Sequence, residues 1–276
     1  MIRLRVPHKQ QGFTLIELMV STAIFVLLSG AIFALLAPAQ MQFQNQSQIV
    51  SAFEEARLGM DQIVRDVNVA GYPAISNFSQ APANASQYAI TPIAWNPGYT
   101  AAPSAPCVIG TAGGGTCVTP GDFDLIVEGN VDGSGVAWIR YQLVGTTLMR
   151  GVVAKGPVGA DPATTTAPAM LPYVLNVMNN ATGGPGVQIA QIKAIPAYAS
   201  MFPGGNPVPV FQYTCDATNP GNAPTLCTNP GANNSPQSIR DVSITLIVMT
   251  PQPDPQTGQL RLVELNGRAH RINPLQ

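Results

Sequence analysis

Gly12-Phe13-Thr14-Leu15-Ile16-Glu17-Leu18-Met19-Val20-Ser21-Thr22-Ala23-Ile24-Phe25-Val26-Leu27-Leu28-Ser29-Gly30 opens a run that stays apolar as far as Ala37 and carries one charged side chain, Glu17. As a helix, residues 13–37 would measure about 37 Å, more than the roughly 30 Å of a hydrocarbon core. Arg3, Arg5 and Lys9 precede the run and no basic cluster follows it. That asymmetry predicts a cytoplasmic start and an exported body. An ordinary secretory signal places its cleavage site after the apolar region. Here the candidate cut, after Gly12, comes before it, so cleavage would occur at the cytoplasmic face and leave the helix attached to the protein.

A carboxylate in a membrane-spanning run is costly and persists mainly where it finds a partner. Two readings of Glu17 follow. In one, it sits at the interface and caps its own helix N-terminus, where negative charge is favoured. In the other, its partner is the amine that cleavage would create on Phe13 of a neighbouring subunit, making the acid a docking device.

The stretch GFTLIELMV, Gly12 to Val20, resembles the class III signal of type IV pilins and of type II secretion pseudopilins. The resemblance implies that a prepilin peptidase cuts between Gly12 and Phe13, that Phe13 is N-methylated and that Glu17 guides filament assembly through a salt bridge. It also implies other minor pilins, a major pilin, an inner-membrane assembly platform and the lipid bilayer as partners. The expected location is the inner membrane, by a single-pass helix with a cytoplasmic N-terminus and a periplasmic head, and then a pilus or pseudopilus.

Pro38 follows the run, and an internal proline kinks or ends a helix. Helical pattern resumes beyond it. Phe53, Ala56, Met60, Ile63, Val64 and Val67 recur on one face, with Glu54, Glu55, Arg57, Asp61, Arg65 and Asp66 around the rest. Asp61 and Arg65 are spaced to pair. Gly71 and Pro73 supply the stop. The expectation is one helix from Phe13 to about Ala70, kinked at Pro38, or two helices broken there. The chain thus divides into a leader (1–12), a transmembrane or filament-core helix (13–37), an amphipathic second half (38–72) and a β-rich head (73–276).

The head is built from a weakly charged composition. Over the 276 residues 46% are apolar and only 10% charged, with 26 Gly and 26 Pro. Removing the leader takes away three of 13 basic residues and leaves 10 against 14 acids, a net charge of −4. That is no electrostatic footprint for nucleic acid. Turn formers dominate 71–120, 161–184 and 203–236. Gly113 to Gly115 lack the Lys-Ser/Thr ending of a phosphate loop. Strand patterns on Phe123–Val127, Val136–Leu143 and Leu148–Arg150 read as an antiparallel meander. The last strand candidates, Val242–Met249 and Leu260–Leu265, flank TPQPDPQTGQ, a proline-studded turn suited to an exposed hairpin tip. The fold class is α+β, type IV pilin-like: a long N-terminal helix packed on an antiparallel β-sheet with long loops.

Four cysteines form two local pairs, Cys107 with Cys117 and Cys215 with Cys227. Export and an even count favour disulfides. Four cysteines allow three connectivities, and local pairing is the preferred one; the wide spacings argue against a thiolate metal site. Glu128, Asn130, Asp132 and Gly133 loosely match a calcium loop, but Ile139 stands where the closing acid belongs, so a hairpin turn is the better reading. No cofactor is implied. An enzyme is not expected: His8 would leave with the leader, His270 stands alone in sequence, and Ser134 lies in Asp-Gly-Ser-Gly rather than a nucleophile elbow.

Residues 56–72 narrow the resemblance. An Ala-Arg opening, the Arg65-Asp66 pair and a closing Ala70-Gly71-Tyr72 are similar to PilW-type minor pilins. So are Asp124-Leu125-Ile126, Tyr141-Gln142-Leu143 and Leu148-Met149-Arg150. Pro73 stands near where many such chains carry a cysteine, and the first Cys here is Cys107. The implied role is a low-copy subunit that initiates or caps a pilus that drives twitching motility. GspJ-type pseudopilins of type II secretion share the architecture and are the alternative. A tip adhesin is the second alternative, since recognition favours loops on a rigid scaffold. Tyr72, Tyr88, Trp95 and Tyr99 are its candidate contact residues, against the plainer role of packing loops onto the domain.

Overall fold

Thr14 begins a single helix. In the computed structural model, which describes residues 12–89, 92–94, 121–157, 169–180, 195–229, 231–232, 238–254 and 258–272, α1 runs from Leu15 to Val69, 55 residues. It passes unbroken through Pro38, so the two-helix alternative does not hold. An internal proline removes one backbone bond and crowds the preceding turn, and α1 accommodates Pro38 without ending there. The end is decided by Gly71, whose φ of 82° is left-handed and whose N–H donates to the Glu128 carbonyl at 2.7 Å.

Burial along α1 starts late. No described residue before Ala52 is buried, whereas Ala52, Ala56, Gly59, Met60, Ile63, Asp66 and Val67 all are. Two of the expected positions need correction. Phe53 is 37% exposed, because it lies on the flank of the stripe centred on Ala56 and Ile63. Asp66, assigned to the polar face, is fully buried. The expected Asp61–Arg65 pair is also absent from the ion pairs formed among the described residues; both side chains stand in solvent, where such a pair gains little.

The head wraps α1 with two antiparallel sheets rather than the single one expected. The first contains β1 (Ile93–Ala94), β2 (Asp124–Gly129), β3 (Ala137–Val144), β4 (Thr147–Ala154) and β5 (Leu171–Val174), in that order. The second has the order β7-β6-β8-β9, from β6 (Phe211–Cys215), β7 (Thr225–Leu226), β8 (Ile239–Met249) and β9 (Leu262–His270). The meander β2-β3-β4 and the β8-β9 hairpin match the strand patterns of the sequence. β1, β5, β6 and β7 do not; each is short or lies in a turn-rich stretch. Both sheets pack against α1 through Leu125, Val127, Ile139, Leu148, Val242, Ile244 and Leu246, all buried.

Asn179 joins the two sheets. The edge of β8 pairs with β6 up to Ile244 and with the Val210 carbonyl at Thr245. The buried Asn179 amide then takes over. Its Nδ2 donates to the Thr245 carbonyl at 2.8 Å, and its Oδ1 accepts from the Ile247 N–H at 2.8 Å. Beyond it, the stretch following β5 continues the ladder, with Met178 N–H donating to the Ile247 carbonyl and Met249 N–H to that of Asn176. One side-chain amide thus stands in for a missing strand residue, which satisfies backbone groups that would be costly to leave unpaired.

Candidate functional site

The first site is the start of α1. Thr14 is the N-cap, and its Oγ1 accepts from the Glu17 N–H at 3.4 Å. Glu17 folds back, its Oε2 accepting from the Thr14 N–H and from the Thr14 hydroxyl, each at 2.9 Å. This is a reciprocal capping box. Within one chain, then, Glu17 caps its own helix, the plainer of the two readings. The hydroxyls of Ser21 and Thr22 bond to carbonyls one turn back, so neither presents an unsatisfied group to an apolar surround.

Around this cap the helix is bare. Phe13 is 87% exposed, and Leu15, Ile16, Phe25, Leu27, Phe33 and Leu35 all stand free of the head. By length and composition α1 can cross a membrane. An apolar surface of this extent must be covered by lipid or by other subunits.

The second site is where α1 is seated in the head. Asp66 projects from α1 into the core and its carboxylate collects three donors. The Tyr141 hydroxyl of β3 donates to Oδ2 at 2.5 Å, Arg150 of β4 to Oδ2 at 2.9 Å, and Gln62 Nε2 to Oδ1 at 2.6 Å. Arg150 Nε also donates to the Tyr141 oxygen, and its guanidinium lies over the rings of Tyr141 and Tyr173, 5.7 and 5.9 Å from their centroids. Burial, and then the charge of Asp66 beside it, push the Tyr141 phenol well up, so it remains a donor. The network binds the helix to three strands at once. Asp66, Tyr141 and Arg150 come from three of the separate stretches that carried the narrower resemblance; the fold brings them to one point. Sequence reasoning missed the burial of Asp66, although its position three residues after Ile63 and next to Val67 fits the core stripe.

Other charged groups also pair inside the head. Glu128 and Lys155, whose side chains are both fully buried, approach to 2.6 Å, and Lys155 also donates to the Tyr88 carbonyl and lies 5.1 Å from its ring. Arg140 bonds Asp124 across the β2-β3 pair. The loosely calcium-like stretch is a turn: Asn130 Oδ1 accepts from the Gly133 N–H, and Asp132 Oδ1 from the N–H and hydroxyl of Ser134. His270 is not alone, as its sequence context had suggested. Its Nδ1 lies 2.7 Å from Asp241 Oδ1, because β8 and β9 place the two directly opposite.

Cys215 and Cys227 form the expected disulfide. Cys107 and Cys117 lie outside the described residues, as do Trp95, Tyr99 and Gly113 to Gly115. Of the other loop aromatics, Tyr88 packs against Lys155 and Tyr72 is half-exposed.

Residues 7–33 match the prokaryotic N-terminal methylation motif. No curated protein matches the chain, and no solved structure does either. The motif spans the capped helix start and its exposed apolar surface. It supports a type IV pilin-like or pseudopilin protein, anchored by its N-terminal helix, processed by a prepilin peptidase and assembled with pilin partners.

Proposed function

We propose that the chain is a minor pilin of a type IV pilus that helps to initiate or cap the fibre. A prepilin peptidase cuts between Gly12 and Phe13 and the new N-terminus is methylated. The leader stays cytoplasmic, residues 13–37 span the inner membrane, and the head lies in the periplasm until α1 enters the filament. On assembly Glu17 exchanges its contacts with Thr14 for the Phe13 amine of a neighbouring subunit. Lipid holds α1 before that step, and the assembly platform, the major pilin and other minor pilins afterwards.

The observation that carries this reading is the N-terminal methylation motif on a helix start whose acid is capped only by its own turn. The meeting of Asp66, Tyr141 and Arg150 supports a PilW-type head, because those positions were the ones that suggested it. The test is a deletion strain. Loss of sheared surface pili with the major pilin retained in the cell is the expected result. Normal pili with secreted enzymes trapped in the periplasm would replace the minor pilin by a GspJ-like pseudopilin. A mature protein that still begins at Met1 would end the reading.

A further inference from the structure

Four strands lie at sheet edges, and three of them are poor templates for pairing. β1 and β7 have two residues each, and β5 has four, one of them Pro172, with a shift in its register. β9 is different. It has nine residues, contains no proline and holds an unbroken register with β8 from Leu262 to His270. Proteins usually blunt such edges, because unpaired N–H and C=O groups recruit further strands.

The open side of β9 can be identified. Arg261 C=O and Arg271 N–H bond toward β8, so the odd-numbered residues face β8 and the even-numbered ones point their backbone groups away. At the upper end, the outward N–H of His270 is taken by Asn68 of α1 at 3.2 Å. The outward groups of Leu262, Glu264, Asn266 and Arg268 have no hydrogen-bond partner among the described residues.

β9 also runs alongside α1 and in the same direction. Gly267 abuts Met60, and His270 meets Asn68 two turns further up. Phe53, two turns below Met60, shares this flank of the helix. Phe53 and Val50 are exposed there and lead down to Phe43 and the bare apolar helix. The edge is therefore continuous with the surface that enters the membrane and the assembly.

We propose that β9 is a strand-addition site for the head of a different pilin-type subunit, anchored in the same orientation. Self-pairing is disfavoured by geometry. Two β9 strands joined antiparallel about a twofold axis would point their α1 helices in opposite directions, which two chains anchored by their N-terminal helices in one membrane cannot do. A second copy could otherwise offer its blunted edges, or β9 itself in parallel; a twofold axis along the strands would set the same outward-facing residues at one height, whereas a parallel ladder needs them offset by one. Glu264 and Arg268 project to the same face of β9, so the added strand should place a base and an acid opposite them.

The proposal rests on the pilin-type reading, and its test uses the full chain in cells that assemble the fibre. Asn266→Pro deletes one outward N–H and leaves the backbone ladder to β8 intact, whereas Asn266→Ser keeps that N–H. Both lose the amide oxygen that accepts from the exposed Thr245 hydroxyl of β8, so the comparison isolates the N–H. Asn266→Pro is expected to lower incorporation into sheared fibres at least ten-fold, with Asn266→Ser at the wild-type level. A photoreactive benzoylphenylalanine at position 264 should form adducts, mapped by mass spectrometry, with an extended segment of another pilin-type chain, whether or not the proline variant folds. Wild-type incorporation of a folded Asn266→Pro, or adducts confined to lipid or to a second copy, would overturn the proposal. The mature N-terminus is read on the same samples. A methylated Phe13 without the strand adduct removes only the β9 site, whereas an unprocessed N-terminus removes the pilin reading beneath it.

Discussion

Asp66 of α1 accepts a hydrogen bond from the hydroxyl of Tyr141 of β3 at 2.5 Å, across 75 residues of sequence. The pair ties the helix to the head at one defined point, alongside the close approaches of Gly59 to Val174 and of Gly267 to Met60. An apolar stripe alone allows a helix to slide or rotate slightly; a buried carboxylate that must meet a phenol, a guanidinium and an amide does not.

Asp66→Ala should therefore destabilise the head by about 3 kcal/mol, since it takes from the partly buried Arg150 its carboxylate partner and from the buried Tyr141 hydroxyl its acceptor. Denaturant unfolding checks this. In the double variant with Arg150→Ala the losses should fall well short of additive; simple additivity would mean that the two side chains do not act as a unit.

Gly129 lies under the end of α1. A Cβ there would sit 2.9 Å from the Val69 carbonyl oxygen, a backbone atom with no freedom to retreat. Gly129→Ala should cost about 1–3 kcal/mol. A melting temperature equal to wild type would show that the helix end is less tightly seated than its bond from Gly71 to Glu128 implies.

The Cys215–Cys227 bond closes a loop with a sequence separation of 12. Replacing both cysteines by serine should lower stability by about 2–3 kcal/mol in the chain-entropy model. Non-reducing peptide mapping of exported protein should recover the linked pair, and free thiols at both positions would remove this brace.

Asp241 supplies a pH dependence. Burial pushes its carboxyl up, but hydrogen bonds from Arg268 and His270, and their charges, outweigh that and hold it below the usual range. Because the folded pKa is the lower one, the stabilisation is fully present above the unfolded value of about 3.9. It is lost as pH falls through the folded value. Arg268 and His270 stand largely in solvent, so the effect is at most about 1 kcal/mol. The denaturation midpoint of Asp241→Asn should change less than that of wild type between neutral pH and acid, and identical pH profiles would refute the assignment.

Glu17→Ala should leave the chain inserted and cut after Gly12 but absent from fibres. Fractionation with a blot of sheared material distinguishes this from normal incorporation, which would leave Glu17 as a helix cap and nothing more.

The N-terminal quarter, through the end of α1, was legible in the sequence because its determinants are local. A basic leader, an uninterrupted apolar run with Glu17 as its single acid, and a core stripe at helical spacing are all read within a few helical turns; the partner of Glu17 in the cap, Thr14, was not. The meander β2-β3-β4 and the pairing of β8 with β9 were legible for a related reason, as strands adjacent in sequence pair with each other. Only the tertiary structure could decide the rest. Asp66 looked like a surface acid until Tyr141 and Arg150 arrived from distant strands, and His270 looked solitary until β8 placed Asp241 opposite it. Asn179 shows no periodicity at all; its role exists only where two sheets leave a gap one residue wide. Burial of a charge or an amide is a property of what surrounds it, and those surroundings are assembled from segments that the sequence keeps far apart.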